Sequence, residues 1–165
     1  MAMVQYYNNG DYNSTSLGAY ANEIMQFVRT YSDLMSAARD YGNGIPITTV
    51  EIYTLYMIEQ NPGITVSALA EKQRRTKGTI STNVTTLEKS GYIYREKRDD
   101  NAKVVHLYTT PAGQRLSTLY NAYTLRQARI DQDKLLKTCS QEDINAFCRV
   151  LHQYLKVISA YENRK

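Results

Sequence analysis

The chain has 165 residues, which is enough for one globular domain with a sizeable core. It contains no run of 18 apolar residues, and its polar start lacks the basic and apolar regions of a secretory signal, so we expect a cytoplasmic protein without a membrane span. The net charge of +4 lies in one segment: residues 70–103 hold nine Lys/Arg and five Asp/Glu, whereas the remainder holds eleven of each. Such a segment is typical of a surface that binds a phosphate backbone, although a solvated charged face would have the same composition.

The residue types that build metal and catalytic sites are sparse. Cys139 and Cys148 fit neither a disulfide framework nor a CxxC metal pair. His106 and His152 have no neighbouring ligand cluster, which argues against a zinc site. The chain also lacks a glycine-rich phosphate loop and the GxSxG and HExxH motifs. The sequence therefore predicts no metal, no cofactor and no enzyme activity.

The first half of the chain is predicted to be helical. Apolar residues recur every three or four positions from Leu17 to Asp40 and predict an amphipathic first helix, which the glycines and proline of YGNGIP end. A second helix begins at Thr48, because Thr48 and Glu51 have the spacing of a capping box. It stops at Asn61-Pro62-Gly63.

A third helix (VSALAEKQ) follows Thr65, and a fourth runs from Thr76 to Ser90 with Gly91 as the residue that ends it. Two β-type stretches come next, Tyr92–Arg95 and Val104–Tyr108, joined by the charged loop EKRDDNAK. Their alternation and the turn residues between them predict a hairpin.

Thr110-Pro111 is a helix start, because the threonine can cap the first turn and a proline at the first helical position needs no partner for its missing N–H. The fifth helix reaches about Leu136, and the sixth runs from the Ser140 cap to about Tyr161. The predicted order is α-α-α-α-β-β-α-α, a mainly α fold with one small β-hairpin.

The segment from Leu69 to Leu87 is typical of a helix, a tight turn and a second helix. Ile80, Val84 and Leu87 define the buried stripe of the second helix, and the opposite face carries glycine and short hydroxyl residues. These residues are poor helix formers, but they suit hydrogen bonds to bases and phosphates, and Gly78 permits close approach. An ordinary amphipathic helix is the alternative; the localised charge favours DNA contact by Arg74, Arg75, Thr76, Lys77, Gly78, Thr79, Ser81, Thr82, Thr85 and Thr86.

The charged loop of the hairpin supplies Lys97, Arg98 and Lys103. Loop charges are usually only solvated. Beside a helix-turn-helix, however, a basic hairpin has the position of a wing whose arginine or lysine enters the minor groove.

Three segments in this order resemble the MarR-type (multiple antibiotic resistance) regulators: ITVSALAEK at 64–72, TKGTISTNVTTLEKSGYI at 76–93 and YTTPAGQRL at 108–116. The resemblance implies one domain over 1–165, with a winged helix-turn-helix lobe at 48–109 and dimerisation helices at 17–40 and 111–161. It also implies a homodimer that binds a pseudo-palindromic double-stranded DNA operator. Such a protein is expected to repress transcription until a small, often aromatic effector binds.

The chain departs from the family pattern at several positions. An apolar-Gly-apolar turn is replaced by Gln73-Arg74-Arg75, and an arginine on the recognition face is replaced by Thr82. The Asp-x-Arg pattern of the wing aligns with Asn101-Ala102-Lys103, so Arg98 is the alternative to Lys103 as the minor-groove contact. Peroxide-sensing members carry a cysteine near the N-terminus, and this chain has none there; Cys139 and Cys148 are expected to pack in the dimer region.

The sequence leaves open the role of the tyrosines and the partner of the winged-helix lobe. The chain has fifteen tyrosines, and Tyr20, Tyr31, Tyr53 and Tyr56 could line an aromatic effector pocket, or tyrosines could replace Phe and Trp in the core. The lobe could also be a winged-helix module for protein–protein contact, without sequence-specific DNA binding.

Overall fold

The computed structural model describes residues 17–97 and 104–162. The part described is mainly helical with two small antiparallel β-sheets, which confirms the predicted fold class. The chain forms two compact units, one up to Ser117 and one from Thr118. After a 3₁₀ turn at Leu17–Tyr20, the elements are α1 (Ala21–Ser36), β1 (Ala38–Arg39), β2 (Ile47–Thr48), α2 (Thr49–Glu59), α3 (Val66–Gln73), α4 (Lys77–Lys89), β3 (Ile93–Lys97), β4 (Val105–Thr109), α5 (Pro111–Leu135) and α6 (Gln141–Glu162).

Four helices begin where the sequence predicts a helix start, each at a Thr or Ser that caps it. Thr48 and Glu51 form the capping box of α2: the Glu51 N–H donates to Thr48 Oγ1 at 3.3 Å and the Thr48 N–H donates to Glu51 Oε2 at 3.1 Å. Thr65, Thr110 and Ser140 each accept a hydrogen bond from the backbone N–H three residues on, at 3.2, 3.1 and 3.1 Å. These bonds satisfy N–H groups that the first helical turn leaves without a partner.

The first helix is shorter than predicted. It ends at Ser36, not at Asp40, and Ala37 is already extended (φ −67°, ψ 131°). The next two residues form β1, which pairs antiparallel with β2 in a short hairpin that the sequence did not predict.

Asp40 stabilises the turn between β1 and β2. Its Oδ1 accepts the backbone N–H groups of Gly42, Asn43 and Gly44 at 2.8, 2.9 and 2.9 Å. Local bonds of this kind compete with helical bonds, so the chain turns between β1 and β2 and does not form a helix there. The bonds from Gly42 and Gly44, which stabilise the carboxylate, also lower the pKa of Asp40 below its ordinary value.

The hairpin formed by β3 and β4 is shifted by one residue from the predicted start of each strand, and β3 runs two residues further. Its register pairs Ile93 with Thr109 and Lys97 with Val105. Ile64 extends this sheet by a bridge to Leu107, whose N–H donates to Ile64 O at 3.0 Å. The loop before α3 is thereby fixed to the hairpin.

The core of the first unit lies between α2, α3, α4 and the hairpin. Its fully buried side chains are Ile52, Leu55, Ile58, Leu69, Ile80, Val84 and Leu107. By contrast, α1 has no buried residue, and neither does α6 at the positions whose burial is described. Among the described residues, no helix has the length and apolar character needed to cross a membrane.

Candidate nucleic-acid interface

The turn between α3 and α4 presents three basic side chains to solvent. Arg74 has a left-handed backbone (φ 50°, ψ 47°), and the N–H groups of Arg74 and Arg75 each donate to an α3 carbonyl at 3.0 Å. This pair of bonds is a Schellman motif, which closes the end of α3. Thr76 then caps α4, and Arg74, Arg75 and Lys77 are exposed. A positive patch therefore lies at the N-terminus of α4, where the helix dipole also favours anions.

The fourth helix has the two faces that the sequence predicts. Ile80, Val84 and Leu87 are 0–1% exposed and fix the inner face against the core. The predicted contact residues Gly78, Thr79, Ser81, Thr82 and Thr86 are exposed, and Thr85 is half-buried. The outward face between the first and last turns thus consists of short side chains only, which allow another molecule to approach the helix backbone closely.

The hydroxyl groups of this face are already bonded within the helix. Thr82 Oγ1 donates to Gly78 O at 3.1 Å, Thr85 Oγ1 to Ser81 O at 2.9 Å, and Thr86 Oγ1 to Thr82 O at 3.2 Å. In these rotamers each hydroxyl hydrogen points at the helix. The oxygen lone pairs and the methyl groups are what these side chains offer to an outside partner.

Arg95 on β3 connects the hairpin to α4, a role that sequence reasoning missed. Its Nε lies 2.9 Å from Glu88 Oε2, and its Nη2 donates to Thr85 Oγ1 at 3.2 Å. Of the ten contacts predicted between Arg74 and Thr86, Thr85 is the one that is half-buried and held by another side chain. Opposite charges on either side of the Gly91 turn are the signal that could have indicated this pair.

A buried threonine connects three helices behind the interface. Thr54 on α2 is 0% exposed, and its Oγ1 donates to Val50 O at 2.8 Å. The same oxygen lies 3.3 Å from Gln73 Nε2, at the end of α3, and 3.5 Å from Asn83 Nδ2 on α4. Sequence reasoning missed this node as well, because one threonine in an apolar helix gives no periodic signal.

The basic residues of the wing are described only in part. Lys97 is exposed at the end of β3. Arg98 and Lys103, with Asn101 between them, lie outside the described residues.

The tyrosines predicted for an effector pocket form separate aromatic pairs. Tyr53 and Tyr56 on α2 stack with ring centroids 6.4 Å apart, and Tyr31 stacks on Phe27 of α1 at 5.8 Å. Tyr20 is 53% exposed. The structure therefore brings together two of the four residues.

Burial decides where tyrosines serve as core residues. Tyr41 and Tyr92 are 6% and 8% exposed, so the core interpretation is confirmed for these two. For Tyr20, Tyr31 and Tyr53, which are exposed in the single chain, it stays a prediction.

Residues 47–105, which hold α2, α3, α4 and the hairpin, match the family model described as MarR family. This segment of the chain is therefore similar to the MarR family. A curated relative is the uncharacterized HTH-type transcriptional regulator YhjH of Bacillus subtilis (strain 168), which is 36% identical over 84 residues. The alignment covers 51% of this chain and 48% of YhjH, so the chain spans about half the length of that relative.

Solved structures share the fold at lower identity. FabT of Streptococcus pneumoniae, solved in complex with DNA, superposes with a TM-score of 0.63 at 22% identity, covering 90% of this chain and 99% of FabT. PcaV of Streptomyces coelicolor, solved with its natural ligand, has a TM-score of 0.63 at 16% identity, covering 87% and 97%. At these identities both likenesses show the fold alone.

The two cysteines lie in the second unit. Cys139 follows α5 and Cys148 lies on α6, and both are free thiols exposed in the single chain. Their expected packing in a dimer stays a prediction.

Proposed function

We propose that the protein is a sequence-specific, double-stranded DNA-binding transcription regulator that acts as a cytoplasmic homodimer. The observation that carries the proposal is the geometry of α4. Its inner face is fully buried through Ile80, Val84 and Leu87, and its outer face is exposed, small and polar. A helix of this form fits the major groove, which admits an α-helix and displays the edges of the bases.

The surroundings of α4 support binding to the DNA backbone. Arg74, Arg75 and Lys77 are exposed beside the helix N-terminus, where they can neutralise phosphates. Gly78 also supports close approach of DNA to α4. Apart from the backbone of its own helix, a β-carbon at this position would meet only Thr76 Oγ1, at 3.9 Å. Since the fold itself leaves room for a side chain there, close approach by DNA is a reason for the glycine.

Apolar side chains left exposed in the single chain support the dimer. A helix that buries nothing in its own chain needs a partner to cover its apolar face. We assign this role to α1 and α6 in a symmetric dimer. The exposed apolar residues are Met25, Phe27, Val28 and Leu34 on α1, and Phe147, Val150, Leu155 and Ile158 on α6.

The regulatory output is proposed by analogy with the family. FabT is solved with DNA and PcaV with its natural ligand, so both kinds of complex occur on this fold. We propose repression that a small aromatic molecule releases, with the stacked Tyr53 and Tyr56 as part of its binding site.

Mobility shift with the DNA upstream of the protein's own gene tests the proposal. We expect higher affinity than for an unrelated duplex, and a log-linear loss of affinity with salt. Lys77→Ala should weaken binding to all duplexes and reduce the salt slope by about 1, because it removes one phosphate contact. Lys137→Ala, in the second unit, is the matched control and should change neither quantity.

Sedimentation of Lys77→Ala should show an intact dimer. Equal affinity for unrelated DNA, together with no dependence on salt, would overturn the proposed function and favour a protein–protein module. Loss of the dimer in Lys77→Ala would overturn the role given to that residue.

A further inference from the structure

We propose that Thr82 reads a thymine methyl group in each half-site, so that sequence recognition by α4 depends on apolar contact with thymine. The inference rests on the proposed function, which supplies the DNA. With α4 in the major groove, the question is which bases its outer face can distinguish.

Thr82 lies on the outer face of α4, opposite the buried stripe. At 3.6 residues per turn, Gly78 and Thr82 lie one turn apart and nearly opposite the buried stripe of Ile80, Val84 and Leu87. Both are exposed, and Gly78 adds no side chain beside Thr82. Thr82 therefore lies at the centre of the outer face.

The longer polar residues near the centre of α4 contact other side chains of the protein. Asn83 is half-buried, with its Nδ2 3.5 Å from the buried Thr54 Oγ1. Glu88 holds Arg95 at 2.9 Å, and Arg95 also donates to Thr85. The usual two-point contacts to guanine by arginine or lysine, and to adenine by asparagine or glutamine, are therefore absent from the outer face between Gly78 and Leu87.

The rotamer of Thr82 directs its hydroxyl hydrogen toward the helix backbone. Its hydroxyl donates to Gly78 O at 3.1 Å, so the hydrogen points into the helix. The Cγ2 methyl and an oxygen lone pair are left for the groove. Among the bases, thymine is the one that presents a methyl group there, and a threonine methyl is a known type of partner for it.

The experiment compares thymine with uracil, which differs only by that methyl group. The preferred duplex is first selected from random duplexes, and then each thymine of one half-site is replaced singly by uracil. For the wild-type protein we expect one position at which uracil weakens binding about fourfold, the ratio that corresponds to about one buried CH₂ group.

Two variants of Thr82 separate the methyl from the hydroxyl. Thr82→Val keeps a methyl and should retain the uracil effect, whereas Thr82→Ser keeps the hydroxyl and should reduce the effect at that position to less than about twofold. Thr124→Ser is the matched control, because Thr124 is exposed on α5 and donates to Tyr120 O in the same way. It should leave the uracil effect unchanged.

The outcomes distinguish the two proposals. If random selection yields no preferred duplex, the proposed function fails and this inference fails with it. If a preferred duplex is found but no thymine shows a uracil effect, or Thr82→Ser retains the effect in full, only the methyl readout is overturned. Thermal unfolding of each variant confirms that the comparison is made between folded proteins.

Discussion

A β-carbon on Gly113 would lie 2.0 Å from the carbonyl oxygen of Tyr92, so the first turn of α5 rests directly on the backbone that precedes β3. The same carbonyl accepts the Thr110 N–H at 2.9 Å, and Thr110 Oγ1 donates to Gly91 O at 2.7 Å. The end of α4, the start of the hairpin and the start of α5 are thus held at one point. The contact between Gly113 and Tyr92 therefore helps to set how the hairpin lies beside α4.

Gly113→Ala should destabilise the protein by more than about 2 kcal/mol, because the new methyl group overlaps a backbone atom that three elements hold in place. The shift in the urea midpoint measures the loss. Gly78→Ala is the matched control on α4: its β-carbon has space, so the substitution should stabilise the fold by up to about 1 kcal/mol through helix propensity. Equal stability of Gly113→Ala and wild type would show that α5 does not depend on this contact.

Arg74 combines a strained backbone with a charge at the proposed interface. Its φ of 50° is in the left-handed region, which costs a residue other than glycine about 1 kcal/mol or more. Arg74→Gly should therefore leave stability unchanged or raise it by up to about 1 kcal/mol, since the greater freedom of glycine in the unfolded chain offsets part of the gain. Arg74→Ala keeps the strain and should not be more stable than wild type.

Both Arg74 variants should bind DNA more weakly and to a similar degree, because both remove the same charge. Unfolding midpoints measure the effect on stability, and DNA titrations on the same preparations measure the effect on affinity. A DNA affinity equal to wild type in both variants would exclude Arg74 from the interface.

Much of the helix-turn-helix lobe follows from local sequence signals. The cap at Thr65 and the buried stripe of α4 are set by residues three or four positions apart, so the sequence alone locates α3 and α4 within one residue. The turn between β1 and β2 depends on Asp40, whose bonds to three later N–H groups are not visible in apolar periodicity. A local polar interaction overrides the pattern there.

The parts of the site that sequence reasoning missed are contacts across long separations. Arg95 and Thr85 meet only because β3 folds back along α4, and Thr54 meets Asn83 only because α2 packs against α4. Thr85 was predicted to contact DNA from its place on the helix, and the structure gives its oxygen to Arg95. Side-chain partners of this kind require the tertiary fold.

Thr54 is expected to position α4 through its buried hydroxyl. Thr54→Val keeps the shape but removes the acceptor for Gln73 and Asn83, so it should cost about 1 kcal/mol of stability. A misoriented α4 should lower affinity for the preferred duplex more than for an unrelated duplex, a difference that a purely structural loss would not produce. Thr54→Ser keeps the hydroxyl, so it should keep the wild-type ratio of the affinity for the preferred duplex to that for the unrelated duplex. A ratio unchanged in Thr54→Val would remove the positioning role.

Asp40 gives a pH dependence whose sign is fixed by its hydrogen bonds. Backbone N–H groups, that of Gly42 foremost, lower its pKa from the ordinary 3.8 in the folded state. The charged form thus favours folding, so the stabilisation is complete above about pH 4 and is lost as the pH falls through the lower folded pKa. Asp40→Asn retains an acceptor oxygen but no charge, and it should melt below wild type at pH 7.

Melting temperatures of the two proteins from pH 7 to pH 3 should converge at the acid end, where Asp40 becomes neutral in the wild type too. Asp143, whose pKa is lowered chiefly by the Ser140 hydroxyl, is common to both proteins and cancels in the difference. A difference that stays constant over the whole range would show that charge on Asp40 has no part in fixing the turn after β1.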